Sequence, residues 1–168
     1  MNKNVSNMVI HKYSVSLCAL FDNAYIPDIY FGHRRCFMKI LVVSHGSFSK
    51  SLVETAKMIS GKNDNIDYLG LYPGDNSDEL SNTIRIRLEN DPKIKIILVD
   101  LLGGSPMIAS VKAVKSLNRE DVSLYSGVNL ALLLEISQVI NIDEGQKINN
   151  LELLSIAKDS ISLVLEGK

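Results

Sequence analysis

From residue 38 onward, short apolar runs alternate with longer stretches whose apolar residues recur at helical spacing. Lys39-Ile-Leu-Val-Val-Ser44 is apolar and β-branched without alternation, so it predicts a strand buried on both faces. His45-Gly46-Ser47 reads as a turn. Phe48, Leu52, Val53, Ala56 and Ile59 fall on one helical face, and Gly61 ends that helix. Ile66 to Tyr72 predicts a second strand and Pro73-Gly74-Asp75-Asn76 a turn. Asn76 with Glu79 suits a capping box, and Leu80, Ile84 and Leu88 continue the helix it opens. Pro92 ends that region. Ile94 to Asp100 predicts a third strand, and Gly103-Gly104 a loop. Ser105-Pro106 reads as an N-cap with proline at the first helical position, before a helix over Met107 to Leu117. Val122 to Ser126 predicts a fourth strand. Leu130 to Ile140 and Leu151 to Lys158 predict two further helices, and Ile161 to Leu165 a closing strand.

Strand and helix thus take turns four times. That order predicts a three-layer α/β fold, with a mainly parallel central sheet of four strands flanked by helices and an antiparallel C-terminal edge strand. No fixed-period repeat or low-complexity tract interrupts it.

Residues 1–37 have a different character. They hold both cysteines (Cys18, Cys36), two of the three histidines (His11, His33) and six of the ten aromatic residues. Lys3, Lys12, Arg34 and Arg35 outweigh Asp22 and Asp28, so the leader is net basic and the remainder net acidic. The leader has no sustained period of 2 or 3.6. Its apolar patch, Val15 to Phe21, is too short for a signal peptide and lacks a small-residue cleavage site. We expect a loosely ordered extension over 1–37, a domain over 38–168, and Met38 as a suitable natural first residue. The absence of cysteine from the domain fits a reducing cytoplasm.

Composition narrows the classes further. At 168 residues, one domain of typical size is expected. A hydrophobic fraction of 46% with a net charge of -1 excludes disorder throughout. No uncharged apolar stretch of about 18 residues exists to span a bilayer. A pI of 6.3 argues against nucleic acid as a partner, because phosphate contacts need a basic surface.

In a doubly wound sheet, ligands bind beyond the carboxyl ends of the strands. His45, the domain's single histidine, follows the first strand; Asp100 ends the third; Ser105 opens the next helix. With strands one and three as neighbours, His45 and Asp100 come within reach. A carboxylate on one imidazole nitrogen fixes the tautomer and leaves the other nitrogen free as a nucleophile. Helix-start amides favour an anion, and Gly103 and Gly104 let main chain approach closely. Together these parts suit a phosphoryl group carried on histidine. Taken singly, each has a plainer reading: a turn histidine, a turn-capping aspartate, a loop and a cap. Their coincidence on one sheet edge is what points to function.

Four segments, Leu41-Val-Val-Ser-His45-Gly-Ser-Phe48, Tyr72-Pro-Gly-Asp75, Leu98-Val-Asp100-Leu-Leu-Gly-Gly-Ser-Pro106 and Ser126-Gly-Val-Asn-Leu130, occur in order. In these, the chain resembles the mannose-type enzyme IIA domain of the phosphoenolpyruvate-dependent sugar phosphotransferase system, over essentially all of 38–166. The resemblance implies that His45 takes phosphate from phospho-HPr, on the ring nitrogen remote from the main chain, and hands it to enzyme IIB. It implies that Asp100 orients the other nitrogen. Ser105, with Gly103, Gly104 and Gly46, would shape the phosphoryl site, and Gly127 and Asn129 its rim. It further implies a cytoplasmic homodimer with Ile161 to Leu165 exchanged between subunits, and indirect association with membrane IIC and IID components that choose the sugar. No cofactor or metal is expected. No IIB sequence follows, so the transporter would be built from separate chains. Ser49 and Ser51 stand where small apolar residues or glycine are common, and both are tolerable at a helix start.

Rivals fail on the same residues. A serine hydrolase using Ser105, His45 and Asp100 lacks the G-x-S-x-G elbow, and Ser105 as an N-cap has another job. An Arg-His-Gly phosphatase would need arginine where Ser44 stands. A small chelatase would want further histidines. A P-loop is absent. A regulatory or docking domain of the same fold is the remaining alternative, and the retention of both His45 and Asp100 speaks against it.

Overall fold

The computed structural model describes residues 38–61, 64–140 and 149–166. The expected loose order of the leader lies outside the described residues.

Strand β1 (Lys39–His45) is followed by α1 (Phe48–Ser60), β2 (Ile66–Leu71), α2 (Ser77–Asn90) and β3 (Ile94–Val99). Then come α3 (Ser105–Ser116), β4 (Ser123–Ser126), α4 (Leu130–Val139) and α5 (Asn150–Asp159). The four strands form one parallel sheet in the order β2-β1-β3-β4. β1 is central, and its side chains alternate between two cores. Ile40 and Val42 pack with α1, α4 and α5, while Leu41 and Val43 pack with α2 and α3. All four are fully buried, which explains the unbroken apolar run. Each fully buried Val, Leu or Ile contributes about 1.5–3 kcal/mol.

The chain leaves β1 toward β2 on one side and leaves β3 toward β4 on the other. The loops after β1 and β3 therefore diverge, and the crevice between them is the topological switch point.

Local chemistry sets the ends of most helices. Gly61 ends α1 at φ +83°, in the left-handed region. The Asn76 side chain accepts from the Asp78 amide at 2.7 Å and opens α2, with Asp78 and Glu79 against the positive end of its dipole. One expected cap is corrected. Gly104, not Ser105, is the N-cap of α3: it is extended (φ -71°, ψ 161°), and its carbonyl accepts from the Ile108 amide at 3.0 Å. Pro106 then takes the second helical position. Residues 161–166 carry no regular secondary structure, so the closing strand expected there is not paired within a single chain. Among the described residues, no helix is long and apolar enough to cross a membrane.

At the opposite edge of the sheet, Arg119 donates to the carbonyls of Leu88, Pro92 and Ile94 and pairs with Asp121, which also meets Lys95. The bonds from Arg119 and Lys95 hold the Asp121 carboxyl well below its usual range. For Asp91, burial pushes the carboxyl up, but bonds from Lys39 and the Lys93 amide outweigh it and the net shift is downward. Carboxylates with lowered folded pKa stabilise the fold above their unfolded value of 3.8. That stability is lost as pH falls through the lower folded values. Melting temperature should be flat from about pH 6 to 5 and drop steeply below about pH 4. Asp121→Asn should flatten the acid limb, and an unchanged melting temperature at about pH 3 would contradict this account.

Candidate functional site

His45 is the last residue of β1 and shares the sheet face of Leu41 and Val43, so its ring is directed toward the start of α3. Its Nδ1 lies 2.8 Å from Asp100 Oδ2, and its backbone amide donates to the same oxygen, also at 2.8 Å. The Leu101 amide donates to Asp100 Oδ1 at 2.9 Å. Asp100, just past β3, is therefore fixed by three N–H groups. Burial pushes its carboxyl up, but the His45 backbone and ring bonds, followed by the Leu101 bond, outweigh it and hold the carboxyl below the usual range. An ionised carboxylate only accepts, so Nδ1 is the donor to Asp100 and Nε2 is left facing away from it. The His45 side chain is 48% exposed and that of Asp100 17%. The imidazole is thus open to a reaction partner while its anchor is mostly enclosed.

The β3–α3 loop closes on the ring. Gly103 has φ +78°, and the Gly104 amide donates to the Leu101 carbonyl at 3.2 Å. A Cβ on Gly104 would sit 3.0 Å from His45 Cε1, so the main chain packs against the edge of the imidazole. This approach is the physical reason that glycine caps α3. Ser105 follows, half-buried, at the first helical position. In the first turn of α3 the amides of Ser105 and Met107 have no helical acceptor, and Pro106 carries no amide hydrogen.

Gly46, at φ +54°, donates its amide to the Leu71 carbonyl at 2.7 Å. This binds the turn after His45 to β2. Sequence reasoning missed the glycine beside this contact, Gly70. A Cβ there would lie 2.3 Å from the Gly46 carbonyl oxygen. A glycine inside a strand pattern is a signal for close backbone approach and could have found it. Gly70→Ala must displace the turn that carries His45. Denaturant unfolding should show a loss of about 1–3 kcal/mol, the range for overpacking. Parent stability in this variant would contradict the geometry.

The expected rim residues Gly127 and Asn129 follow the carboxyl end of β4, the neighbour of β3. Gly127 is at φ +82°, and Val128 donates to the Val99 carbonyl at 3.0 Å, one residue before Asp100. The Asn129 side chain accepts from the Leu132 amide at 2.8 Å and donates to the Ala157 carbonyl at 3.1 Å. It caps α4 and ties it to α5. Among the described residues, neither Gly127 nor Asn129 hydrogen-bonds to His45 or Asp100, and no group of three or more His, Cys, Asp or Glu side chains is poised to hold a metal.

Comparison with known proteins identifies the family of this doubly wound α/β domain, which carries a histidine–aspartate pair at its switch point. Residues 39–151 match the family described as "PTS system fructose IIA component" (EIIA-man). The chain is 31% identical over 98 residues to the mannose-specific EIIAB component of the phosphotransferase system of Escherichia coli K12. That match covers 57% of this chain and 30% of the E. coli protein, so it spans less than a third of that relative. It is 29% identical over 101 residues to the fructose-specific EIIA component of Bacillus subtilis, covering 59% of this chain and 68% of that one. In three dimensions it is similar to the IIA protein associated with the fucose utilization operon of Streptococcus pneumoniae. There the TM-score is 0.65 at 32% identity, covering 76% of this chain and 93% of the other. The chain belongs to the mannose-type IIA family of phosphotransferase-system components.

Proposed function

We propose that this chain is a phosphohistidine carrier, accepting a phosphoryl group from phospho-HPr on Nε2 of His45 and passing it to enzyme IIB for sugar uptake. The observation that carries the reading is the pair of hydrogen bonds that Asp100 Oδ2 accepts from the His45 amide and Nδ1. One oxygen fixes the backbone, the tautomer and the ring plane, and points the other nitrogen outward. As the P–Nε2 bond forms, the P–N bond to the donor imidazole breaks. Asp100 stabilises the positive charge that develops on the ring. The three transferring oxygens meet Ser105 and the first-turn amides of α3, with Gly103, Gly104 and Gly46 allowing the approach. Donor and product are both phosphohistidines, so the step is nearly balanced in free energy and its catalysis is mainly alignment. No metal or cofactor is needed for an already activated phosphoryl group.

Assembly belongs to the same reading. Ile161, Leu163, Val164 and Leu165 are 77–90% exposed in the single chain, an apolar segment that suits pairing with a second copy. We infer a cytoplasmic homodimer in which this segment is exchanged, and indirect association with the membrane IIC and IID components.

The serine-hydrolase reading loses one objection, since Ser105 is not the cap, keeps the missing G-x-S-x-G elbow, and gains another. Among the described residues, no hydrogen bond joins the Ser105 hydroxyl to His45, as an activated nucleophile needs. Incubation with phosphoenolpyruvate, enzyme I and HPr tests the carrier reading. The expected product is one acid-labile, base-stable phosphate per chain that chases onto IIB. No label, or label that IIB cannot remove, would overturn it.

A further inference from the structure

We propose that Ser44 is a positioning residue: its buried hydroxyl holds the turn after β1 and so keeps the His45 imidazole in line for phosphoryl transfer. The kinetic half of this inference rests on the carrier reading; the geometric half does not.

Ser44 and Ser49 are both fully buried. Buried hydroxyls need partners, and these have them. Ser44 Oγ accepts from the Ser49 amide at 2.6 Å and donates to the His45 carbonyl at 3.2 Å. Ser49 Oγ donates to the Leu69 carbonyl in β2 at 2.7 Å. Ser47 occupies the N-cap position of α1, but its backbone is not extended (φ -90°, ψ 3°) and its side chain makes no cap bond. The amide of the second helical residue is satisfied from inside β1 instead. Ser44 thus joins the end of the strand directly to the start of the helix, closing a short loop with His45 inside it.

The rest of that loop is tied just as closely. Gly46 is bonded to β2 through Leu71, and the His45 amide and Nδ1 share one oxygen of Asp100. Displacement of the His45 backbone, whose carbonyl Ser44 holds, therefore moves the amide and the ring off the carboxylate together. Removing the Ser44 hydroxyl strands the Ser49 N–H in the interior and frees the His45 carbonyl. The turn must then relax, and the ring orientation with it. The Ser49 hydroxyl has a different task. In Ser49→Ala the amide remains, so its bond to Ser44 remains.

The test compares parent, Ser44→Ala, Ser44→Cys, Ser44→Thr and Ser49→Ala by ¹⁵N NMR of the His45 ring and by single-turnover transfer from phospho-HPr. The parent should show one tautomer, protonated on Nδ1. Ser44→Ala should show a mixture. Its maximal transfer rate should fall roughly tenfold or more, at an unchanged half-saturating phospho-HPr concentration, because alignment and not docking is lost. Ser44→Cys, which fills the pocket with a weak acceptor, should behave alike and serves where the alanine variant does not fold. Ser44→Thr should restore tautomer and rate, and Ser49→Ala should match the parent. A folded Ser44→Ala or Ser44→Cys with the parent tautomer and a rate within twofold would overturn the inference. So would a Ser49→Ala as impaired as Ser44→Ala. If the parent takes up no phosphate, the carrier reading fails, and the tautomer comparison alone then decides the role of Ser44.

Discussion

His45→Gln takes up no phosphate from phospho-HPr above background, while its melting temperature stays within a few degrees of the parent. Glutamine can place an amide near the imidazole and bond to Asp100. Its nitrogen, however, is delocalised into the carbonyl and has no lone pair to attack phosphorus. The loss should be complete, because no neighbouring group replaces a nucleophile that forms the covalent bond. The fold should survive because the side chain is 48% exposed and lies at a strand end, outside both cores. Acid-labile labelling with thermal unfolding checks both halves. A variant that labels like the parent would remove His45 from the chemistry.

Asp100→Asn should slow labelling on the order of 10²- to 10⁴-fold without unfolding the protein, the scale seen when a histidine–aspartate pair loses its tautomer control. In the parent, Oδ2 receives two N–H groups from His45 and Oδ1 receives one from Leu101. An asparagine must put its NH₂ at one of these places. Set against His45, it faces the backbone amide and obliges Nδ1 to accept, which moves the proton to Nε2 and removes the nucleophile. Set against Leu101, it opposes donor to donor and dislodges the loop before Gly104. Both orientations also remove the charge that stabilises the phosphorylated ring. Single-turnover kinetics check the size of the effect, and a rate within threefold of the parent would show that Asp100 does not orient the ring.

Much of this architecture is legible in the chain because it follows from local pattern. The unbroken run Ile40 to Val43 can only lie between two layers, Gly61 and Asn76 mark helix ends by their own chemistry, and the alternation of elements implies the parallel sheet. The pairing of His45 with Asp100 is also legible, since each falls at a carboxyl strand end of the same switch point. What escapes a reading of the sequence is set by contacts distant in sequence. The cap of α3 moves from Ser105 to Gly104 because the main chain there must pass against the ring of His45, in another element. The bond by which Asn129 reaches from the cap of α4 to the Ala157 carbonyl in α5 is likewise not visible in the sequence. Ser49 reads as a tolerable substitution at a helix start, whereas it is buried and bonded to both β1 and β2. Gly70, a glycine inside a strand pattern, signals a close approach, but the partner, the Gly46 carbonyl, is distant in sequence. The segment after α5 lacks a strand partner within one chain, so its apolar pattern alone cannot place it.

The central claim is that Asp100 holds the proton on Nδ1 and leaves Nε2 of His45 to bond phosphorus. Uniformly ¹⁵N-labelled protein, phosphorylated through enzyme I and HPr, tests it directly by ³¹P–¹⁵N coupling. Phosphorus is expected on Nε2 of His45, with Nδ1 still protonated. Phosphorus on Nδ1, on Ser105 or on any other residue would contradict it.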